Sequence, residues 1–134
     1  MSIEVRPYGR GDLEGVLMLC EAEAWPSFPA DPDRAHRALT AAGVTSVVAH
    51  ADGEVVGFAQ LQSDGEIQAH LSLIATAAAH RGQGIARRML ALALARAGGE
   101  RIDLITDSAE RFYAGLKYNR RLVGFRLWPP FEEP

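Results

Sequence analysis

The sequence predicts an α+β fold built as α/β layers: a mixed, mostly antiparallel sheet with helices on both faces and one parallel strand pair. Three observations carry this expectation. Two Asp-Gly dipeptides, Asp52-Gly53 and Asp64-Gly65, separate strand-like runs and read as hairpin turns. A strand, a glycine-bearing loop, a helix and a second strand follow between residues 66 and 106, the pattern of a right-handed βαβ crossover. Two helical segments precede the hairpins, so both faces of the sheet can be covered.

Taken in order, Ile3 to Arg6 alternates and reads as a short strand. Gly9-Arg10-Gly11 is a turn, and Asp12 is placed to cap a helix running to about Ala24. Trp25-Pro26-Ser27-Phe28-Pro29 breaks that helix. Asp31 caps a second helix with Pro32 at its first position, ending near Gly43. Val44 to Ala49 is β-branched, and Glu54 to Gln62 is its return strand. A longer strand is expected from Glu66 to about Thr76. The clearest helix spans Ile85 to Ala97 and stops at Gly98-Gly99. Ile102 to Thr106 is a short apolar strand, Ser108 caps a helix to about Leu116, and Arg121 to Trp128 reads as a final strand. The expected order is β-α-α-β-β-β-α-β-α-β, in one domain covering residues 1–134.

Bulk properties exclude several function classes. The net charge of −3 argues against a nucleic-acid partner, which calls for a basic excess. The one cysteine, Cys20, lies in an apolar run, makes no intramolecular disulfide and is expected in the core; the four histidines show no metal-ligand spacing, so no metal is expected. No apolar run approaches the roughly 18 residues of a membrane span, and the N-terminus has no apolar signal core. The chain reads as a soluble cytoplasmic protein without a membrane partner.

The loop Arg81-Gly82-Gln83-Gly84-Ile85-Ala86 joins a strand to a helix. Glycines let consecutive N–H groups turn toward one point, and the helix start adds unpaired N–H groups and a partial positive charge. A pyrophosphate fits such a place, and Arg81 adds planar donors. A tight strand-to-helix connection is the plainer reading. Arg87 stands where a dinucleotide fingerprint wants its third glycine, and the Lys-Ser/Thr ending of a nucleotide P-loop is missing.

Arg81-x-x-Gly84-x-Ala86 matches the Q/R-x-x-G-x-G/A signature of the GNAT (GCN5-related N-acetyltransferase) superfamily, and the chain resembles that family over nearly its whole length. The element order, Val55-Val56-Gly57 on the second hairpin strand and Phe112-Tyr113 in the late helix carry the rest of the resemblance. It implies a bulged fourth strand splayed from the fifth, with acetyl-CoA in the wedge. Its pantetheine would pair with the backbone of Leu73, Ile74, Ala75 and Thr76. Its pyrophosphate would rest on Gly82, Gln83, Gly84, Ile85 and Ala86 beside Arg81. Tyr113 matches the usual general acid, and Trp25 and Phe28 lie where such proteins border the acceptor. Thr76 and Ala78 replace a common valine and proline. The usual Gly-Phe after the tyrosine appears as Lys117-Tyr118 or is displaced to Gly124-Phe125.

The strand from Glu66 carries Glu66, Gln68, His70 and Ser72 on one side, with Ile67, Ala69, Leu71 and Leu73 on the other. A polar row on a central strand suggests a cleft. His70 is the first choice of general base, since an imidazole accepts a proton near neutrality. Glu66 acting through water is the second. For each of these residues a packing or solvated role is the competing reading. The expected reaction is acetyl transfer from acetyl-CoA to a primary amine, on a small molecule or a protein, by direct attack. A non-catalytic acyl-CoA sensor on the same fold and an unrelated mononucleotide-binding module are the alternatives. The family's habit of pairing leaves a homodimer open.

Overall fold

The computed structural model describes residues 2–131 and falls into two compact units, one through Asp103 and one from Leu104 onward. In the first unit, five strands lie in the order β1 (Ile3–Pro7), β2 (Val44–Ala51), β3 (Glu54–Ser63), β4 (Gln68–Thr76) and β5 (Arg101–Asp103). The first four are antiparallel neighbours and β4–β5 is parallel. The helices are α1 (Leu13–Ala22), α2 (Ser27–Ala30), α3 (Pro32–Leu39) and α4 (Ile85–Ala97).

Neighbouring residues of β3 show why both faces are covered. Phe58 clusters with Val16 and Leu19 of α1 and Leu39 of α3. A Cβ on Gly57 would meet Met89 Cε of α4 at 3.1 Å. Successive strand residues point to opposite faces, so α1 and α3 cover one side and α4 the other. Ile85, Met89 and Ala93, four apart along α4, are all buried and anchor it as a stripe. Gly15 brings α1 close to the sheet, since a Cβ there would lie 2.6 Å from Val55 Cβ.

Local chemistry sets the connections. Asp52 and Gly53 both have positive φ (51° and 83°), the conformation a two-residue hairpin of this kind requires. Asp31 caps α3 as expected, accepting from the Arg34 N–H at 3.2 Å. Asp12 instead turns away from α1. It is buried, accepts the Gly9 N–H at 2.9 Å, takes two bonds from Arg6 and faces His50 Nε2 at 2.9 Å. Arg6 Nη2 lies 2.8 Å from the same imidazole nitrogen, so Asp12, Arg6 and His50 form one cluster.

Several expectations are corrected. Ser27–Ala30 forms one helical turn inside the proline-bearing break. The third hairpin strand starts at Gln68 because Asp64 Oδ1 accepts the N–H groups of Glu66, Ile67 and Gln68, folding residues 64–67 into a loop. Glu66 and Ile67 therefore precede the strand. The strict alternation is also broken. Leu61 pairs with Leu71 but Gln60 with Leu73, leaving Ser72 as an extra, bulged residue. Leu71 and Leu73 thus face opposite sides, and Leu73 packs on the Val16 cluster.

In the second unit, α5 (Glu110–Ala114) is shorter than expected. No side chain caps it, Ser108 included; Thr106 Oγ1 accepts the Ala109 N–H at 3.0 Å in the turn before the helix, and β5 has already ended at Asp103. Asn119 Nδ2 donates to Leu116 O at 2.7 Å beyond the helix. Residues 121–128 form no strand. Leu122, Val123, Phe125, Leu127 and Trp128 are exposed, and strand propensity stabilises a strand only through cross-strand partners. Among the described residues no helix is long and apolar enough to cross a membrane.

Candidate active site

The parallel pairing of β4 with β5 covers only Gln68, Ala69 and His70. From Leu73 to Thr76 the β4 backbone is bonded to β3 on one side and has no ladder partner on the other among the described residues. Leu73, Ile74 and Thr76 are half-buried and Ala75 is buried. Backbone N–H and C=O groups in such a place call for a partner. An extended amide-bearing ligand could supply one by adding as a strand. The bulge at Ser72 falls where paired β4 gives way to this free edge.

Beyond Thr76 the chain makes one 3-10 turn, Ala78–His80, and enters the loop before α4. Gly82 and Gly84 have φ of +77° and +80°, and a Cβ on either would meet nothing within 4 Å. Only glycine takes that backbone readily, and the open space above it is where a ligand would lie. No N–H group from Gly82 to Ala86 donates to a protein acceptor among the described residues. Gly84 is the N-cap of a 13-residue helix, so these free donors sit at the positive end of its dipole.

Arg81 is more tied than the sequence suggests. Its Nε donates to Thr76 O at 3.1 Å and its Nη2 to Glu23 Oε1 at 2.8 Å. The guanidinium fastens the loop to the end of β4 and to the residue after α1. Glu23 is its acidic partner. Anion binding here thus falls to the backbone donors.

His70 is exposed on β4 and borders an open groove of about 540 Å³. The groove runs along the β3, β4 and β5 ends and residues 42–44, and also receives Gln62, Gln68 and Asp103. Gln62, His70 and Asp103 are aligned across three strands, Gln62 opposite His70 and His70 opposite Asp103. The parallel register puts Asp103 beside His70, a neighbourhood that sequence spacing does not show. Glu66 is exposed in the loop before β4 and does not line this groove. Asp64, whose carboxylate is held below the usual range by the N–H groups of Ile67 and Glu66, is committed to that loop.

Trp25 and Phe28 are half-buried against the Val16 cluster. Cys20 is buried in it, and burial pushes its thiol up to about 11, so it is no nucleophile. In the second unit, Tyr113 of α5 is half-buried and makes an edge contact with Phe112 at 5.0 Å. Burial raises its phenol pKa, so the hydroxyl keeps its proton at neutral pH.

This arrangement can be set beside known proteins. No match is found among curated protein sequences. Among solved structures, an aminoglycoside acetyltransferase, AAC(6')-Iy, in complex with a bisubstrate CoA analogue is similar at 20% identity and TM-score 0.73, over 96% of this chain and 100% of that one. A ribosomal-protein-alanine N-acetyltransferase from Brucella melitensis biovar Abortus 2308 is similar at 17% identity and TM-score 0.75, over 96% and 99%. A protein from Deinococcus radiodurans R1 shares 27% identity at TM-score 0.71, over 93% and 87%. The family model for "Acetyltransferase (GNAT) family" matches residues 12–118, a span holding both the free β4 edge and the glycine cradle. That span is most of the sequence, and the chain belongs to the GNAT acetyltransferase family.

Proposed function

We propose that this protein is an N-acetyltransferase that moves an acetyl group from acetyl-CoA to a primary amine by direct attack. The observation that carries the reading is a pair of backbone segments with free groups, the edge of Leu73–Thr76 that faces away from β3 and the N–H groups of Gly82–Ala86, at opposite ends of one connection. A pantetheine amide chain fits the first and a pyrophosphate the second, and open space lies over both glycines. The similar AAC(6')-Iy structures contain CoA or a bisubstrate analogue, which supports the same ligand here.

Acetyl-CoA supplies an acyl carbon already activated as a thioester. The residues of this chain do the rest. Free N–H groups along Leu73–Thr76 polarise the carbonyl. His70, directly or through water, takes the proton that the attacking nitrogen must lose, with Glu66 as the alternative base. As the new C–N bond forms the C–S bond breaks, and Tyr113 gives the departing sulfur a proton. Trp25 and Phe28 contact the acceptor's apolar parts. We read the chain as one catalytic domain on this basis, working without metal.

The test is acetyl-CoA turnover against a panel of amines, read as free thiol. Amine-dependent thiol release with a matching acetylated product is the expected result. Tight CoA binding with no turnover on any amine would favour the non-catalytic sensor.

A further inference from the structure

Half of the polar side chains lining the groove beside His70 are already used. Asp64 accepts three backbone N–H groups, Ser63 Oγ donates to Gly98 O at 2.8 Å, and Gln62 Nε2 donates to Ser72 Oγ at 2.7 Å. Gln68, His70 and Asp103 are different. Among the described residues, neither Gln68 nor His70 makes a side-chain hydrogen bond. The nearest cation to Asp103 is Arg101 Nε at 3.9 Å, beyond hydrogen-bond length. Gln68 and His70 are two apart on β4 and share a face, and Asp103 lies opposite His70 on β5. Three uncommitted side chains from two strands therefore border one open volume.

We propose that this groove binds the body of the acceptor, and that Asp103 selects small polycationic amines by pairing with an ammonium group other than the reacting one. The inference rests on the acetyl-transfer reading and extends it to the acceptor. The free backbone that would hold the thioester begins at Leu73, just past His70 and the Ser72 bulge on the same strand. A nitrogen reacting between Leu73 and His70 leaves the rest of its molecule over Gln68 and Asp103. The groove has no Phe, Tyr or Trp in its lining and its one uncommitted carboxylate belongs to Asp103, so a second cation is the chemistry it fits. Arg101 is the competing internal cation, and Gln68 offers an amide to the chain between the two nitrogens.

The test uses a matched pair of probes, 1,5-diaminopentane and 1-aminopentane, on the full chain saturated with CoA. Binding is read by calorimetry and amide NMR shifts, and turnover by thiol release. The diamine should bind more tightly, shift the Gln68, His70 and Asp103 signals and lose affinity as salt rises. Asp103→Asn should weaken the diamine about five-fold through KM with kcat unchanged, and leave the monoamine alone. Arg101→Ala should tighten the diamine. Equal diamine preference in wild type and both variants would overturn the proposal, as would an Asp103→Asn loss confined to kcat, which would make the carboxylate a support for His70. The binding arms decide the groove even if no amine turns over, so failure of the acetyl-transfer reading remains separable.

Discussion

At Asp12, burial and bonding pull in opposite directions. Burial raises the carboxyl pKa, but the Gly9 N–H, Arg6 and His50 outweigh it and hold the group below its usual value. A carboxyl depressed in the folded state stabilises the fold above its unfolded pKa, and that contribution is lost as pH falls through the folded value. Asp12→Asn keeps the size and removes the charge. Urea unfolding at neutral pH should show a loss of roughly 2 kcal/mol, less than a fully buried pair because Arg6 is part-exposed. The acid limb of stability against pH should flatten. An unchanged acid limb would mean that other carboxylates govern acid unfolding. For the chemistry, His70→Ala should lower kcat/KM by roughly 10²–10⁴-fold and displace the low-pH limb of the rate profile. A normal rate with an unchanged profile would pass the role to Glu66 or solvent. Tyr113→Phe removes one hydroxyl, so its loss should appear in kcat with CoA affinity nearly constant. A wild-type kcat, with chemistry limiting, would leave Tyr113 a packing residue.

Among the elements, what the sequence made legible was what local chemistry decides. Asp52-Gly53, the Asp31-Pro32 helix start, and the Ile85 to Ala97 helix with its Gly98 stop each follow from neighbours in the chain. What it hid depends on pairing. The Ser72 bulge cannot be read from an alternating run, because only the β3 register reveals that one residue is extra. Asp103 beside His70 is hidden for the same reason: parallel register joins residues that the sequence keeps 33 positions apart. The expected strand at 121–128 fails in the reverse direction, with the pattern present and the partner absent among the described residues. One close approach tests the packing of α4. Gly98 has φ +73°, and a Cβ there would lie 2.6 Å from Gly65 O. Gly98→Ala must therefore strain the backbone or displace the hairpin loop, at about 2 kcal/mol. Its thermal midpoint should fall by roughly 5–10 °C. A midpoint equal to wild type would show that the helix end and loop separate freely.

For the whole molecule, the sheet does two things at once. Its packed interior holds α4 in place through Ile85, Met89 and Ala93, each at most 2% exposed. Its edge leaves β4 unpaired where pairing with β5 stops. The cradle at Gly82 to Ala86 is a consequence of both, since a fixed helix and a strand end are joined by residues at positive φ. The candidate phosphate loop was thus visible as a motif, but its function as a site depends on the free edge beside it. The most direct measurement titrates CoA by calorimetry into the wild-type protein and into Gly84→Val. Valine disfavours φ near +80° and would place its side chain in the open space above the loop. The account predicts saturable CoA binding by the wild type, and its loss in a Gly84→Val protein that circular dichroism shows to be folded. CoA affinity equal in the two proteins would contradict it.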